Sequence, residues 1–193
     1  IRRIICKSKN NNYSDMFSEN LIGQHVNTFE AFKAYVNNAE SRGALLMPSD
    51  EELVEAVKTK DLKRDSYIVL YMLESRINNN FVGSDCNNDA NTFVKEQIMP
   101  EKDNGNWPSA KGYSEEQRQM LTKTLGNFAI IRQKLKTKFK NAPWSTKRKA
   151  MEVGSSDMEL GRIFMQGQRY WDESVIEKRN SWLAERILEA WPR

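Results

Sequence analysis

The 193-residue sequence has only two cysteines, Cys6 and Cys86, and they do not form a CxxC motif. This scarcity excludes a disulfide-stapled scaffold and gives no indication of a zinc site. The chain also has no apolar run close to the ~18 residues that a membrane span needs, and no signal-peptide core. We therefore expect a protein of the reducing cytoplasm that makes no contact with a membrane.

Histidine is scarcer still, since His25 is the only one in the chain. The imidazole is the side chain whose ordinary pKa lies nearest neutral pH, and for that reason it is the usual general base. A lone histidine in a segment without a clear pattern is more often structural or exposed than catalytic. We therefore interpret His25 as a structural or exposed residue rather than a catalytic one.

Acidic residues are missing from one long segment, although acids and bases nearly balance elsewhere. This segment, the basic tract, carries eight cations: Arg132, Lys134, Lys136, Lys138, Lys140, Lys147, Arg148 and Lys149. A concentrated cationic surface is typical of phosphate binding, and the alternative is an ordinary solvated face. The periodicity is ambiguous, because lysines at every second position suit a strand whereas Leu135 and Phe139 suit a helix.

The rest of the composition is that of an ordinary globular protein, with 39% apolar and 29% charged residues. A chain of 193 residues is long enough to form one large domain or two small ones without disulfide bonds. The net charge of +4 permits an anionic partner without requiring one. Because the chain begins at Ile1 rather than Met, we expect it to be a fragment of a longer protein, with an upstream part missing.

Capping motifs predict an N-terminal helical region over residues 1–91. Asn27-Thr28-Phe29-Glu30 and Ser49-Asp50-Glu51-Glu52 each place a glutamate three residues after a cap, and each should begin a helix. A third helix is predicted from Leu62 to Ile77. Its centre is apolar nearly all round, which predicts a helix buried on every side. The Asn-rich segment that follows should be a loop.

Two strands and several helices are predicted over residues 92–193. The run that Pro100 terminates and the run from Phe128 to Ile131 have the composition of short strands. A helix that starts after Ser114 and stops at Gly126 should lie between them. The last helix should start after a cap at Asp172.

The second region also carries a series of short motifs, whose order and spacing are more specific than any one of them: Glu96-Gln97-Ile98-Met99-Pro100, Trp107, Leu125-Gly126-Asn127-Phe128, Lys147, Trp171 to Ile176, Arg179 and Trp191-Pro192. The series resembles the C-terminal domain of GmrSD-type modification-dependent restriction endonucleases, a branch of the HNH (His-Me finger) nucleases. The resemblance extends over about residues 28–192. It implies a mainly α fold with a small β-hairpin, in which a ββα unit is embedded among helices.

In that family a histidine deprotonates the attacking water, a neighbouring acid helps to hold a divalent metal, and an asparagine fixes the hairpin. The resemblance therefore implies Glu96, Gln97 and Asn127 as site residues, with Glu96 as the metal ligand and Mg²⁺ or another divalent ion as cofactor if the site is active. Gln97, however, stands where the family has its histidine, and Lys136 stands where it has an asparagine that binds metal. An amide is no base and an ammonium cannot ligate a cation. Losing the base alone should cost roughly 10²–10⁴-fold in rate.

Three functions remain open. A nuclease-like domain with impaired cleavage would bind double-stranded DNA through seven residues of the basic tract: Lys134, Lys136, Lys138, Lys140, Lys147, Arg148 and Lys149. An active metal-dependent endonuclease would need a substitute base, for instance from the upstream domain of the same polypeptide that the resemblance implies. A protein-interaction domain would use the tract to bind an acidic partner, and no cofactor would then be required.

Overall fold

A computed structural model of the chain describes residues 1–8, Ser18, 22–23, 26–37, 47–79, 93–102, 105–140, 142–154, 158–165 and 167–193. His25, Cys86 and most of the Asn-rich segment lie outside these described residues. Within the described ranges, no helix combines the length and apolarity that a membrane crossing requires.

The described residues form a mainly helical fold with one β-hairpin, as the sequence predicts. Its elements are α1 (Arg2–Ile5), α2 (Phe29–Asn37), α3 (Asp50–Thr59), α4 (Ser66–Ile77), β1 (Phe93–Gln97), α5 (Glu115–Leu121), β2 (Phe128–Arg132), α6 (Lys136–Phe139), α7 (Trp144–Gly154) and α8 (Glu173–Ala190). Single 3-10 turns flank β2 at Leu125–Asn127 and Gln133–Leu135, and a π-helical turn covers Gly161–Met165.

Side-chain caps fix the starts of the helices that the sequence predicts best. The Ser49 hydroxyl accepts a hydrogen bond from the Glu52 amide, and the Glu52 carboxylate accepts one from the Ser49 amide, which completes a capping box for α3. Ser114 and Gln117 form the same box at α5. The Asp172 carboxylate accepts a bond from the Val175 amide at the start of α8. These contacts are local, so the sequence alone reveals them.

Two helix predictions need correction. Helix α5 ends at Leu121 rather than at Gly126, because Thr122 begins a turn that leads into the 3-10 segment before β2. Helix α4 is not buried on all sides, since Ile68 and Met72 are partly exposed. The hairpin and α8 pack against one side of α4.

The ambiguous basic tract is strand only at its start and helical afterwards. After Arg132 the chain makes a 3-10 turn and then α6. The four-residue spacing of Leu135 and Phe139 outweighs the alternation of lysines, because both apolar side chains are buried in one core cluster with Trp144 and Met151.

The hairpin lies between the two apolar cores of the described residues. Strands β1 and β2 are antiparallel, with Phe93 opposite Arg132 and Gln97 opposite Phe128. One face of the hairpin joins a core with α3, α4 and α8, and the other joins a core with α6 and α7. Residues from both sides of the expected boundary at residue 91 contribute to the first core. The division into regions 1–91 and 92–193 stays a prediction.

Candidate functional site

The amide of Asn127 joins the two strands at their closed end. Asn127 is fully buried, and its Oδ1 accepts a hydrogen bond from the Met99 amide at 2.9 Å. Its Nδ2 donates to the carbonyls of Met99 and Thr122, each at 2.8 Å. The Ile98 amide also donates to the Asn127 carbonyl. The motifs Glu96-Gln97-Ile98-Met99-Pro100 and Leu125-Gly126-Asn127-Phe128 therefore lie side by side, and Asn127 links them.

Helix α8 holds the turn before β2 from the other side. The Asn180 Oδ1 accepts a bond from the Gly126 amide at 2.6 Å, and its Nδ2 donates to the Thr124 hydroxyl. The Arg179 guanidinium donates to the carbonyls of Gly126 and Phe128 at 2.9 and 2.7 Å. The sequence did not point to Asn180, and it predicted no role for Arg179. The signal that could have revealed both residues is the presence of polar side chains on the apolar side of α8.

The Gln97 side chain is directed toward the same closed end. Its Nε2 donates to the Thr122 carbonyl at 2.9 Å, and this carbonyl also accepts from Asn127. The amide thus serves as a hydrogen-bond donor to backbone. It has no basicity with which to activate a water molecule.

Glu96 lies on the hairpin face that looks toward α6 and α7. It pairs with Ala129 in the strand register and is half-buried. Burial raises the pKa of the Glu96 carboxyl, and the positive charges of Lys136 and Lys147 oppose that rise. The structure therefore brings Glu96 together with two lysines of the basic tract.

Lys147 is buried, contrary to the expectation that it contacts phosphates at the surface. Only 3% of its area is exposed, and its ammonium donates to the carbonyls of Ile98 at 2.7 Å and Gln97 at 3.1 Å. The ammonium also lies 5.2 Å from the ring centre of Trp107 and 5.6 Å from that of Phe139. Burial lowers the pKa of Lys147 to about 8, against the opposing effect of Glu96. In this position the Lys147 ammonium lies inside the protein rather than at its surface.

The other cations of the basic tract divide into two groups. Arg132 and Arg148 are half-buried, and Arg148 donates to the Gln168 carbonyl at 3.0 Å and pairs with Glu152 at 3.4 Å. Five lysines are exposed: Lys134, Lys136, Lys138, Lys140 and Lys149. A groove between the Gln133–Leu135 turn and α7 is lined in part by three of these lysines and two hydroxyl side chains: Lys134, Lys138, Lys149, Ser145 and Thr146.

The surroundings of Glu96 do not fit a divalent metal ion. Mg²⁺ and related ions prefer several oxygen ligands, whereas the charged groups that act on this one carboxylate are both ammonium groups. In the part of the chain that the structure describes, no group of three or more His, Cys, Asp or Glu side chains could hold a metal.

Comparison with known families gives one result that bears on this site. A family model described as "GmrSD restriction endonucleases, C-terminal domain" matches residues 47–186. The matched range includes both strands, the Asn127 contacts and the basic tract. No match was found among curated proteins or among solved structures.

Proposed function

The chain belongs to the family of C-terminal domains of GmrSD restriction endonucleases, and from this membership we propose that it is a nuclease-like domain that binds double-stranded DNA but cleaves it poorly. Membership supports a nuclease-like restriction domain, for which DNA is the substrate.

One observation carries the proposal of impaired cleavage. The hairpin is fully assembled around Asn127, yet Gln97 at the position of the base donates its amide proton to the Thr122 carbonyl. An intact scaffold with an amide at the base position supports retention of the fold and loss of the proton transfer. Lys136 adds a positive charge beside Glu96, which disfavours a metal there.

The basic tract supports the proposal of DNA binding. Its five exposed lysines extend their side chains into solvent, and three of them share one groove. Flexible ammonium groups along a groove suit the regularly spaced phosphates of a duplex, with little sequence preference. The upstream domain of the same polypeptide would then supply recognition or nucleotide-driven regulation, as the family resemblance implies.

The binding test uses fluorescence anisotropy with a labelled duplex over a range of salt concentrations. The triple variant Lys134→Gln/Lys138→Gln/Lys149→Gln should lower the slope of log affinity against log salt by about 0.9 for each phosphate that the variant no longer neutralises. The matched control, Lys58→Gln/Lys111→Gln/Lys178→Gln, removes three exposed lysines from outside the basic tract. Its slope should stay close to that of the wild type.

Equal slopes for the two triple variants would refute the groove as the DNA surface. If the wild type bound no duplex even at low salt, an acidic protein partner would be the better explanation of the basic tract.

The cleavage test is a plasmid-nicking assay with Mg²⁺ or Mn²⁺. The wild type should nick no faster than background, since it has no base at position 97. Metal-dependent nicking by the unmodified chain would refute impaired cleavage and favour an active endonuclease with a substitute base.

A further inference from the structure

We propose that Lys136, which stands where the resemblance implies a metal-binding asparagine, acts together with the buried Lys147 in place of a divalent metal, so that a DNA phosphate binds to Lys136 beside Glu96 without a metal. The phosphate ligand rests on the proposed function, whereas the exclusion of a metal does not.

The ammonium of Lys147 occupies an internal cation site. Two backbone carbonyls, those of Gln97 and Ile98, accept its hydrogen bonds. The rings of Trp107 and Phe139 lie within cation–π distance of it. Carbonyl oxygens and aromatic rings stabilise a cation, and the covalent tether to α7 keeps this one in place. The end of β1 therefore holds a tethered cation whenever Lys147 is protonated.

Lys136 is exposed and begins α6, a helix that packs against β1. Its charge acts on Glu96 together with that of Lys147. Two positive charges near one carboxylate repel a divalent ion that approaches it, and neither ammonium has a lone pair to ligate that ion. The charges of the two lysines therefore disfavour a divalent ion at the Glu96 carboxylate.

The exposed Lys136 offers an ammonium group to an anionic ligand. An exposed ammonium donates directly to phosphate oxygens, so Lys136 can contact a phosphodiester with no bridging cation. Glu96 carries a negative charge that would repel the phosphate, and the two lysines offset it. The predicted consequence is DNA binding that is as tight in EDTA as in Mn²⁺ at matched ionic strength.

The first experiment measures Mn²⁺ binding to the full chain, without DNA, by the electron paramagnetic resonance signal of free Mn²⁺. The wild type should bind Mn²⁺ no tighter than the Glu96→Gln variant. Lys136→Asn should bind it on the order of tenfold tighter, because one repelling charge is gone and an amide oxygen is gained. Lys138→Asn is the matched control, since it makes the same change two residues along α6 in the groove.

Wild-type affinity for Mn²⁺ well above that of Glu96→Gln would overturn the proposal, and so would equal affinities of Lys136→Asn and Lys138→Asn. The second experiment measures duplex affinity of the wild type in EDTA and in Mn²⁺. Binding that is at least tenfold weaker in EDTA would overturn this inference and leave the proposed function standing. Absence of duplex binding in both buffers would refute the proposed function, while the Mn²⁺ titration would still decide the metal question.

Discussion

Burial separates two lysines that look alike in the sequence. Lys147 and Lys149 are two residues apart in the basic tract, yet the first is buried against two carbonyls and the second is exposed in the groove. Helix α7 turns the side chain of Lys147 toward Trp107 and that of Lys149 toward solvent. The same residue type therefore stabilises the hairpin in one case and offers a charge to a ligand in the other.

The buried lysine should make stability depend on pH in a defined direction. Burial lowers the pKa of Lys147 from 10.5 to about 8, so between these values the unfolded chain binds more protons at this residue than the folded chain. Stability then rises with pH across that window. The free energy of unfolding of the wild type minus that of Lys147→Met should increase by roughly 3 kcal/mol from pH 8 to pH 10.5.

Urea unfolding at several pH values measures this difference. Methionine suits the comparison because it fills similar space and does not titrate. A difference that stays flat, or falls as the pH rises, would contradict the assigned direction of the pKa shift.

At the scale of elements, the turn before β2 needs a residue without a side chain. A Cβ at Gly126 would lie 2.7 Å from the Ile176 carbonyl oxygen and 2.7 Å from Asn180 Oδ1. The Ile176 carbonyl belongs to the backbone of α8 and cannot move aside without shifting that helix. In the Leu125-Gly126-Asn127 motif, Gly126 thus allows the backbone to lie close to α8, and Asn127 forms the hydrogen bonds that link the motif to Met99.

Gly126→Ala should therefore destabilise the fold by about 1–3 kcal/mol, the usual cost of overpacking a tight core site. Urea unfolding monitored by tryptophan fluorescence measures the change. Gly161→Ala is the control, because nothing lies within 4 Å of a Cβ built there. Equal stability of the two variants would mean that α8 does not lie close enough to Gly126 to exclude a methyl group there.

At the scale of the whole molecule, a buried ion pair connects the long segment between the strands to α8. Arg118 donates to the Glu173 carboxylate at 2.6 Å and to the Trp107 carbonyl at 2.7 Å, and Glu173 also accepts from the Ala110 amide. Both side chains are almost wholly buried. This network sets the position of Trp107, whose ring lies beside the Lys147 ammonium.

Breaking this pair from one side should cost about 3–5 kcal/mol of unfolding free energy, since one buried charge is left without its partner. Glu173→Leu is the single change to measure by denaturant unfolding. The double variant Arg118→Met/Glu173→Leu should recover much of that loss, because it removes both charges. A double variant no more stable than the single one would show that the hydrogen bonds to Trp107 and Ala110 matter more than the pairing.

Prediction from sequence succeeded where the determining contacts are local. Ser49, Ser114 and Asp172 begin helices through bonds to amides three residues away, and short apolar runs gave both strands. It failed for Lys147 and Asn180, since their roles depend on residues about 50 positions away along the chain. A run of charges does not reveal which member points inward, because that is decided by the packing of distant elements.

The dependence of the Gly126 turn on α8 also has a consequence for synthesis. Gly126 and Asn180 are 54 positions apart, and Arg179 is 53 positions from the carbonyl it binds. A ribosome makes the chain in order, so the Gly126 amide and carbonyl lack these two partners until α8 has emerged from the exit tunnel. Incomplete translation products that stop before α8 would thus carry Glu96, Gln97 and Asn127 without the contacts from α8 that hold the turn at Gly126.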